Sequence, residues 1–327
     1  RMLRIALSAL LLVLSLAGHA PKYPPEGRHP LDRFHLVKPY TRWINKYQTL
    51  GSVMTTMSEI RLTPDAKSAN GAIWSRETIG LDAFTVEARL RLSAHSTSLV
   101  ADGMGIWFNE RTSLGNAYGV APLFTGFGIV LDIYDNTHSR RTPFLGLVAS
   151  NGTKVFNNDN NGETHSLDSC RLYDADSMVR QGYDQYARES IAVHIEYLPG
   201  NMAIYYKLEK DLDWQHCLTY KNIFIPNYFY LGVSASTGDL TAQQDLISLK
   251  VFDLPVDLTV KARTTMHFDK TGAAEAGAKT QTEGGKILSV IFFSVAFFIV
   301  IGGVAIILKP DLLPGSSASI DKQKRFY

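Results

Sequence analysis

Between Phe84 and Leu92 every even position is apolar (Phe84, Val86, Ala88, Leu90, Leu92), and the odd positions hold Thr85, Glu87, Arg89 and Arg91. A period of two sends alternate side chains to opposite faces of an extended chain, so this segment reads as a strand with one face buried. Similar runs recur at 190–197, 202–208 and 246–252. Shorter apolar runs at 104–108, 127–134 and 144–149 read as strands buried on both faces. Leu198-Pro199-Gly200-Asn201 separates two of the clearest strands and carries the residues of a hairpin turn. No stretch of this body keeps a helical period. The expected fold class is all-β, an antiparallel β-sandwich or jelly roll of about 230 residues.

The two ends of the chain are different. Arg1 and Arg4 precede a 12-residue apolar run, Ile5 to Leu16, and the small residues Ala17, Gly18 and Ala20 follow. Twelve residues make about 18 Å of helix, short of a bilayer core of about 30 Å. Charged, apolar and small in that order is the pattern of a signal peptide, expected over residues 1–20. Ile287 to Leu308 runs 22 residues without a charge. It lacks a polar stripe and makes about 33 Å of helix, enough to span a membrane. The tail 309–327 carries a net charge of +2, whereas the flank at 271–286 is balanced, which orients the tail to the cytosol. The expected organisation is a type I single-pass protein. It has a lumenal body over 21–255, a stalk over 256–286 rich in Ala, Gly, Thr and Lys, a transmembrane helix over 287–308 and a cytosolic tail.

Composition closes several alternatives. A hydrophobic fraction of 45% with 11% aromatics excludes wholesale disorder. The 33 Lys and Arg stand against 31 Asp and Glu, and no basic tract interleaves with aromatics, so the footprint of a nucleic-acid binder is missing. Two cysteines cannot staple a miniprotein or supply a four-thiolate zinc site. In a lumenal body Cys170 and Cys217 are expected to pair, two buried thiols being the alternative. Asn151-Gly152-Thr153 is a glycosylation sequon.

Catalytic motifs are lacking. Gly103-Met104-Gly105 and Gly126-Phe127-Gly128 have no third glycine and run into strand-like sequence, unlike a dinucleotide loop. No G-x-S-x-G, H-E-x-x-H or C-x-x-C occurs, and the nine histidines are scattered. Asp132 and Asp135, three apart, face opposite sides of a strand and make no carboxylate pair for glycoside hydrolysis. A cation site is better supported. In Asp132-Ile133-Tyr134-Asp135-Asn136 an acid, a backbone carbonyl and an amide alternate and can converge on one hard cation. The polar run 157–163 is rich in oxygen donors and reads equally as part of a calcium site or as a solvated loop.

Several ordered motifs then resemble one family. Ala101-Asp102-Gly103-Met104-Gly105-Ile106-Trp107-Phe108 resembles the A-D-G strand of the L-type (legume-like) lectins, cargo receptors of the early secretory pathway. Gly128 to Asn136 is similar to that family's calcium strand, and Ser234 to Leu240 to its G-D-L sugar loop. The block Arg61 to Trp74 and the positions of Cys170 and Cys217 also match, for coverage from about Phe34 to Leu254. The resemblance implies a concanavalin-like jelly roll that binds high-mannose N-glycans with calcium. It implies that Asp102, Asn136, Asn158, Gly238, Asp239 and Leu240 contact sugar. Asp132, the carbonyl of Tyr134, Asn136 and Asn161 would hold Ca2+, and a cis peptide would join Ala101 to Asp102.

One segment departs from the family pattern. Where the family has D-H-x-x-D-G, this chain has Asn157-Asn158-Asp159-Asn160-Asn161-Gly162. Asn158 replaces a sugar-contacting histidine and Asn161 a calcium carboxylate, so weaker calcium binding is expected, unless a register shift lets Asp159 substitute. Lys324-Arg325-Phe326-Tyr327 resembles the family's trafficking signal, whose partners are vesicle coat proteins. The sequence therefore reads as a lumenal lectin capturing mannose-rich glycoproteins for transport between endoplasmic reticulum and Golgi. Its rivals are a receptor that has lost sugar binding and recognises polypeptide, and a sandwich-fold glycoside hydrolase.

Overall fold

A computed structural model describes residues 28–93, 100–137, 143–172, 189–209 and 211–254. The expected signal peptide, stalk, membrane span and cytosolic tail all lie outside these residues. No helix among the described residues is long and apolar enough to cross a membrane.

Fifteen strands make up the described body. They are β1 (His29–Pro30), β2 (Tyr47–Gly51), β3 (Met54–Thr55), β4 (Ile60–Thr63) and β5 (Asn70–Thr78). Next come β6 (Phe84–Ser93), β7 (Gly103–Asn109), β8 (Thr125–Asp132), β9 (Phe144–Asn151) and β10 (Ser166–Arg171). The last five are β11 (Glu189–Leu198), β12 (Asn201–Leu208), β13 (Gln215–Lys221), β14 (Tyr230–Ser236) and β15 (Gln243–Asp253). An eight-stranded sheet runs β13-β12-β11-β6-β15-β4-β3, with β1 also on β15, and a seven-stranded sheet runs β10-β9-β8-β7-β14-β5-β2. Every strand pairing is antiparallel.

The alternating segment forms β6, near the centre of the larger sheet, between β11 and β15. Its even residues are buried in the main core with Ile106, Phe108, Ile129, Leu131 and Val233 of the other sheet. The 198–201 turn closes the β11–β12 hairpin, with Leu198 opposite Asn201. The β8 strand ends at Asp132, two residues before the apolar run does. Cys170 and Cys217 form a disulfide with Cα atoms 5.4 Å apart, which ties edge strand β10 of one sheet to edge strand β13 of the other.

A second core lies on the outer face of the seven-stranded sheet, where Trp74, Trp107, Tyr118, Val120, Phe124 and Phe156 cluster. The sheet makes room for its indoles with glycine. A Cβ on Gly105 would sit 2.4 Å from Trp107 Nε1, and one on Gly128 would sit 2.4 Å from Trp107 Cζ3. Trp107 then donates to the Ser234 hydroxyl at 2.8 Å, which in turn donates to the Tyr118 carbonyl at 2.6 Å. A buried indole N–H needs such a partner, and this one fixes Tyr118 over the end of β8.

Candidate functional site

The ends of four neighbouring strands meet at one rim of the seven-stranded sheet. Gly103 of β7 is paired both with Asp132 of β8 and with Ser236 of β14, and Ser236 is also paired with Asn70 of β5. The peptides leaving these strands therefore converge, and they line a cleft of about 500 Å³. Ala101 and Asp102 come from before β7, Tyr134 and Asn136 from after β8, and Asn158 and Asp159 from the loop after β9. The loop after β14 adds Gly238, Asp239 and Leu240. All six residues expected to touch sugar are thus brought together.

Asp102 is half-buried, and the peptide bond joining it to Ala101 is cis, as the resemblance implied. Its backbone N–H donates to the Ser236 carbonyl at 3.0 Å, and the Ser236 hydroxyl donates to its Oδ2 at 3.3 Å. Burial pushes the Asp102 carboxyl above its usual range, and the Ser236 bond only partly offsets this. Gly238 keeps the carboxylate accessible, since a Cβ there would come 3.3 Å from Asp102 Oδ1. Asp239 is fully exposed at the rim, 4.0 Å from Lys67 Nζ.

Asp132 does not line the cleft; it is only 1% exposed. The Tyr118 hydroxyl donates to its Oδ2 at 2.7 Å and the Tyr134 N–H to its Oδ1 at 3.0 Å. Burial, reinforced by the charges of Asp102 and Asp135, pushes this carboxyl up to about 7. No Lys, Arg or His among the described residues pairs with it. A buried carboxylate with neighbouring acids and no cationic partner is an incomplete charge group.

The departing segment forms a short 3-10 turn over Asn158–Asn160, after which Asn161 is left-handed with φ +55°. Asn161 Oδ1 accepts from the Asn136 N–H at 3.1 Å, so the residue brackets the two loops that flank Asp132. Asn158 Nδ2 donates to the Asn116 carbonyl at 2.6 Å. Asp159 stays exposed at the cleft, and the turn keeps Asn161, not Asp159, against the 132–136 loop.

By chemistry the Asp132 carboxylate, the Tyr134 carbonyl and the amide oxygens of Asn136 and Asn161 are the hard donors a calcium ion takes. Among the described residues, however, no three of His, Cys, Asp and Glu cluster to hold a metal ion, and Asn161 Oδ1 already accepts from the Asn136 N–H. Sequence reasoning missed Ser68, Asn70, Asn116 and Thr237, which also line the cleft. Ser68 and Asn70 lie inside the Arg61–Trp74 block that already carried a family resemblance, so a signal was present. Tyr118 and Asn116 sit in a loop with no motif, and only the fold brings them here.

Comparison with known proteins gives the same direction. The sequence profile of the legume-like lectin family matches residues 28–260. The chain is 27% identical over 338 residues to the VIP36-like protein of Pongo abelii, covering 97% of this chain and 92% of that protein. It is 30% identical over 259 residues to the mouse vesicular integral-membrane protein VIP36, covering 76% of this chain and 69% of that one. Its fold matches the exoplasmic/lumenal domain of VIP36 in a Ca2+/Man3GlcNAc-bound form. That match has a TM-score of 0.62 at 28% identity and covers 72% of this chain and 96% of that one. A profile spanning most of the chain, with the strand ends and loops gathered as its motifs require, leaves one conclusion: the chain belongs to the legume-like lectin family.

Proposed function

We propose that the chain is a lumenal lectin that binds high-mannose N-glycans with calcium and carries glycoproteins between endoplasmic reticulum and Golgi. The observation that carries this reading is the buried Asp132, with no cationic partner among the described residues, paired with Gly103 beside a cleft lined by Asp102, in a fold whose relative is solved with Ca2+ and Man3GlcNAc. Asp102 accepts from sugar hydroxyls, the backbone at Gly238 to Leu240 walls the cleft, and Asn136 reaches both sugar and metal. Asp132, the Tyr134 carbonyl, Asn136 and Asn161 are the residues that would hold Ca2+, which would supply positive charge opposite the Asp132 carboxylate. An amide at Asn161 in place of a carboxylate weakens that binding, because it brings no charge.

No reaction is assigned. The family is one of lectins, and the cleft acids Asp102, Asp159 and Asp239 are read as sugar-facing or rim groups rather than as a hydrolytic pair. The tail residues Lys324, Arg325, Phe326 and Tyr327 are the proposed contact with vesicle coat, and residues 287–308 the proposed membrane span.

A second reading, a receptor recognising polypeptide, is favoured by Asn158, whose amide is already bound to the Asn116 carbonyl within the protein. Glycan-array binding by the purified full chain, with calcium and with chelator, beside Asp102→Asn, decides between them. Calcium-dependent binding of mannose-rich glycans, lost in the variant, supports the lectin. A folded chain that binds no glycan overturns it in favour of polypeptide recognition.

A further inference from the structure

The sequon and the sugar cleft sit at opposite ends of the same strands. In the β8–β9 pair, Thr125 stands opposite Asn151 at one end and Asp132 opposite Phe144 at the other. Seven residues of strand separate the two ends, about 23 Å. Asn151 is the last residue of β9 and half-exposed, and Thr153 is exposed. The Asn151 side chain uses Oδ1 alone, accepting from the Thr153 N–H at 3.1 Å and the Thr153 hydroxyl at 2.7 Å. Its Nδ2, the atom that bears an N-glycan, makes no hydrogen bond among the described residues.

We propose that Asn151 carries a high-mannose glycan that serves as ligand for the Asp102 cleft of a second copy of this chain, so that copies associate head to tail. The proposal rests on the lectin reading above. The modification uses a lipid-linked pyrophosphate oligosaccharide as donor: a bond forms from Nδ2 to the sugar C1, the C1–O bond to pyrophosphate breaks, and the amide proton leaves with the pyrophosphate. A glycan anchored at one rim meets its own cleft only by folding back along the strands. The glycan of another molecule meets it end-on. The contact is heterologous, with donor and acceptor surfaces on opposite ends, and so builds open chains or, where the rotation closes, rings. Glycoproteins with the same glycans compete for the cleft, so cargo shortens the chains it joins.

The test uses full chain in detergent, made in cells whose glycan trimming is blocked. Asp102→Asn keeps the glycan but loses the cleft carboxylate, and Asn151→Gln keeps the cleft but loses the glycan. Sedimentation is expected to show concentration-dependent oligomers for the unmutated chain and monomers for each variant alone. Mixing the two variants is expected to restore one-to-one complexes, which free mannose-rich oligosaccharide or endoglycosidase dissolves. That competition on the unmutated chain keeps the test valid if Asp102→Asn misfolds. Oligomers that persist in Asn151→Gln overturn the proposal, as does an unmodified Asn151 by mass spectrometry. An unmutated chain that stays monomeric while Asn151→Gln binds fluorescent high-mannose oligosaccharide overturns the self-association and leaves the lectin standing. No oligosaccharide binding by folded Asn151→Gln overturns both.

Discussion

Two groups of buried carboxylates sit in this domain, and they are neutralised differently. On β15 and beside β4, Asp245 is fully buried and Glu59 nearly so. Arg91 reaches Glu59 at 2.8 Å and Asp245 at 3.1 Å, and Arg61 reaches both at 3.4 Å. Burial pushes the Glu59 carboxyl up, but hydrogen bonds from Ser58 and Arg91 outweigh it and bring the group below its usual range. At the cleft, Asp132 is buried as deeply, receives among the described residues a phenol and a backbone N–H, and rises to about 7. One group contains its own cations and is structural. The other has no cationic partner among the described residues, and in the proposed function a bound cation would complete it.

Breaking the first group has the largest expected effect. Arg91→Ala leaves Asp245 and Glu59 undercompensated in the interior and is expected to cost about 3–5 kcal/mol in chemical denaturation. A loss below about 1 kcal/mol would mean that Arg61 alone balances both acids.

The second prediction concerns Asp132 and pH. Its folded pKa of about 7 lies above the ordinary 3.8. Its stabilising contribution in the metal-free fold is therefore complete below about pH 4 and lost as pH rises through about 7. Thermal melts in chelator are expected to show Asp132→Asn matching the unmutated chain at low pH and exceeding it above pH 7, by up to about 4 kcal/mol. Calcium should raise the melting temperature of the unmutated chain only. Glu59 has the opposite sign: its folded pKa is lowered, so its contribution is present above the ordinary 4.5 and lost as pH falls through the folded value. A Glu59→Gln variant is accordingly expected to lose stability at neutral pH and to converge with the unmutated chain in acid.

Asn161→Asp sharpens the contrast by adding charge where calcium would sit. Calorimetric titration is expected to show tighter calcium binding by about tenfold, and unchanged affinity would remove Asn161 from the ligand set. Asp239→Asn is expected to have the smallest effect. The side chain is fully exposed, so the denaturation midpoint should not move, while glycan affinity falls by roughly threefold if the carboxylate itself touches sugar.

Strands with a polar face were legible because alternation records burial on one side, as in β6, β11, β12 and β15. The β5 and β14 strands gave little warning, since the second core covers their outer faces and replaces alternation with small residues such as Gly232 and Ser234 beneath buried aromatics. The sugar-site motifs were legible as local strings around Asp102, Asp132 and Gly238. Asn116 and Tyr118 were not, because their place in the site depends on a loop with no motif that crosses between strands; Thr237 lay within the legible Ser234–Leu240 string but was not singled out.

Residue order alone determined the sheet class, the apolar ends, the sequon and the motif-borne cleft residues such as Asp102, Asn136 and Gly238, because these depend on local period, run length and chemistry. Tertiary structure decided which acids are left without a cation. Charge compensation is a property of neighbours in space: Arg91 comes within reach of Asp245 by β6–β15 pairing, and no such strand delivers an arginine to Asp132.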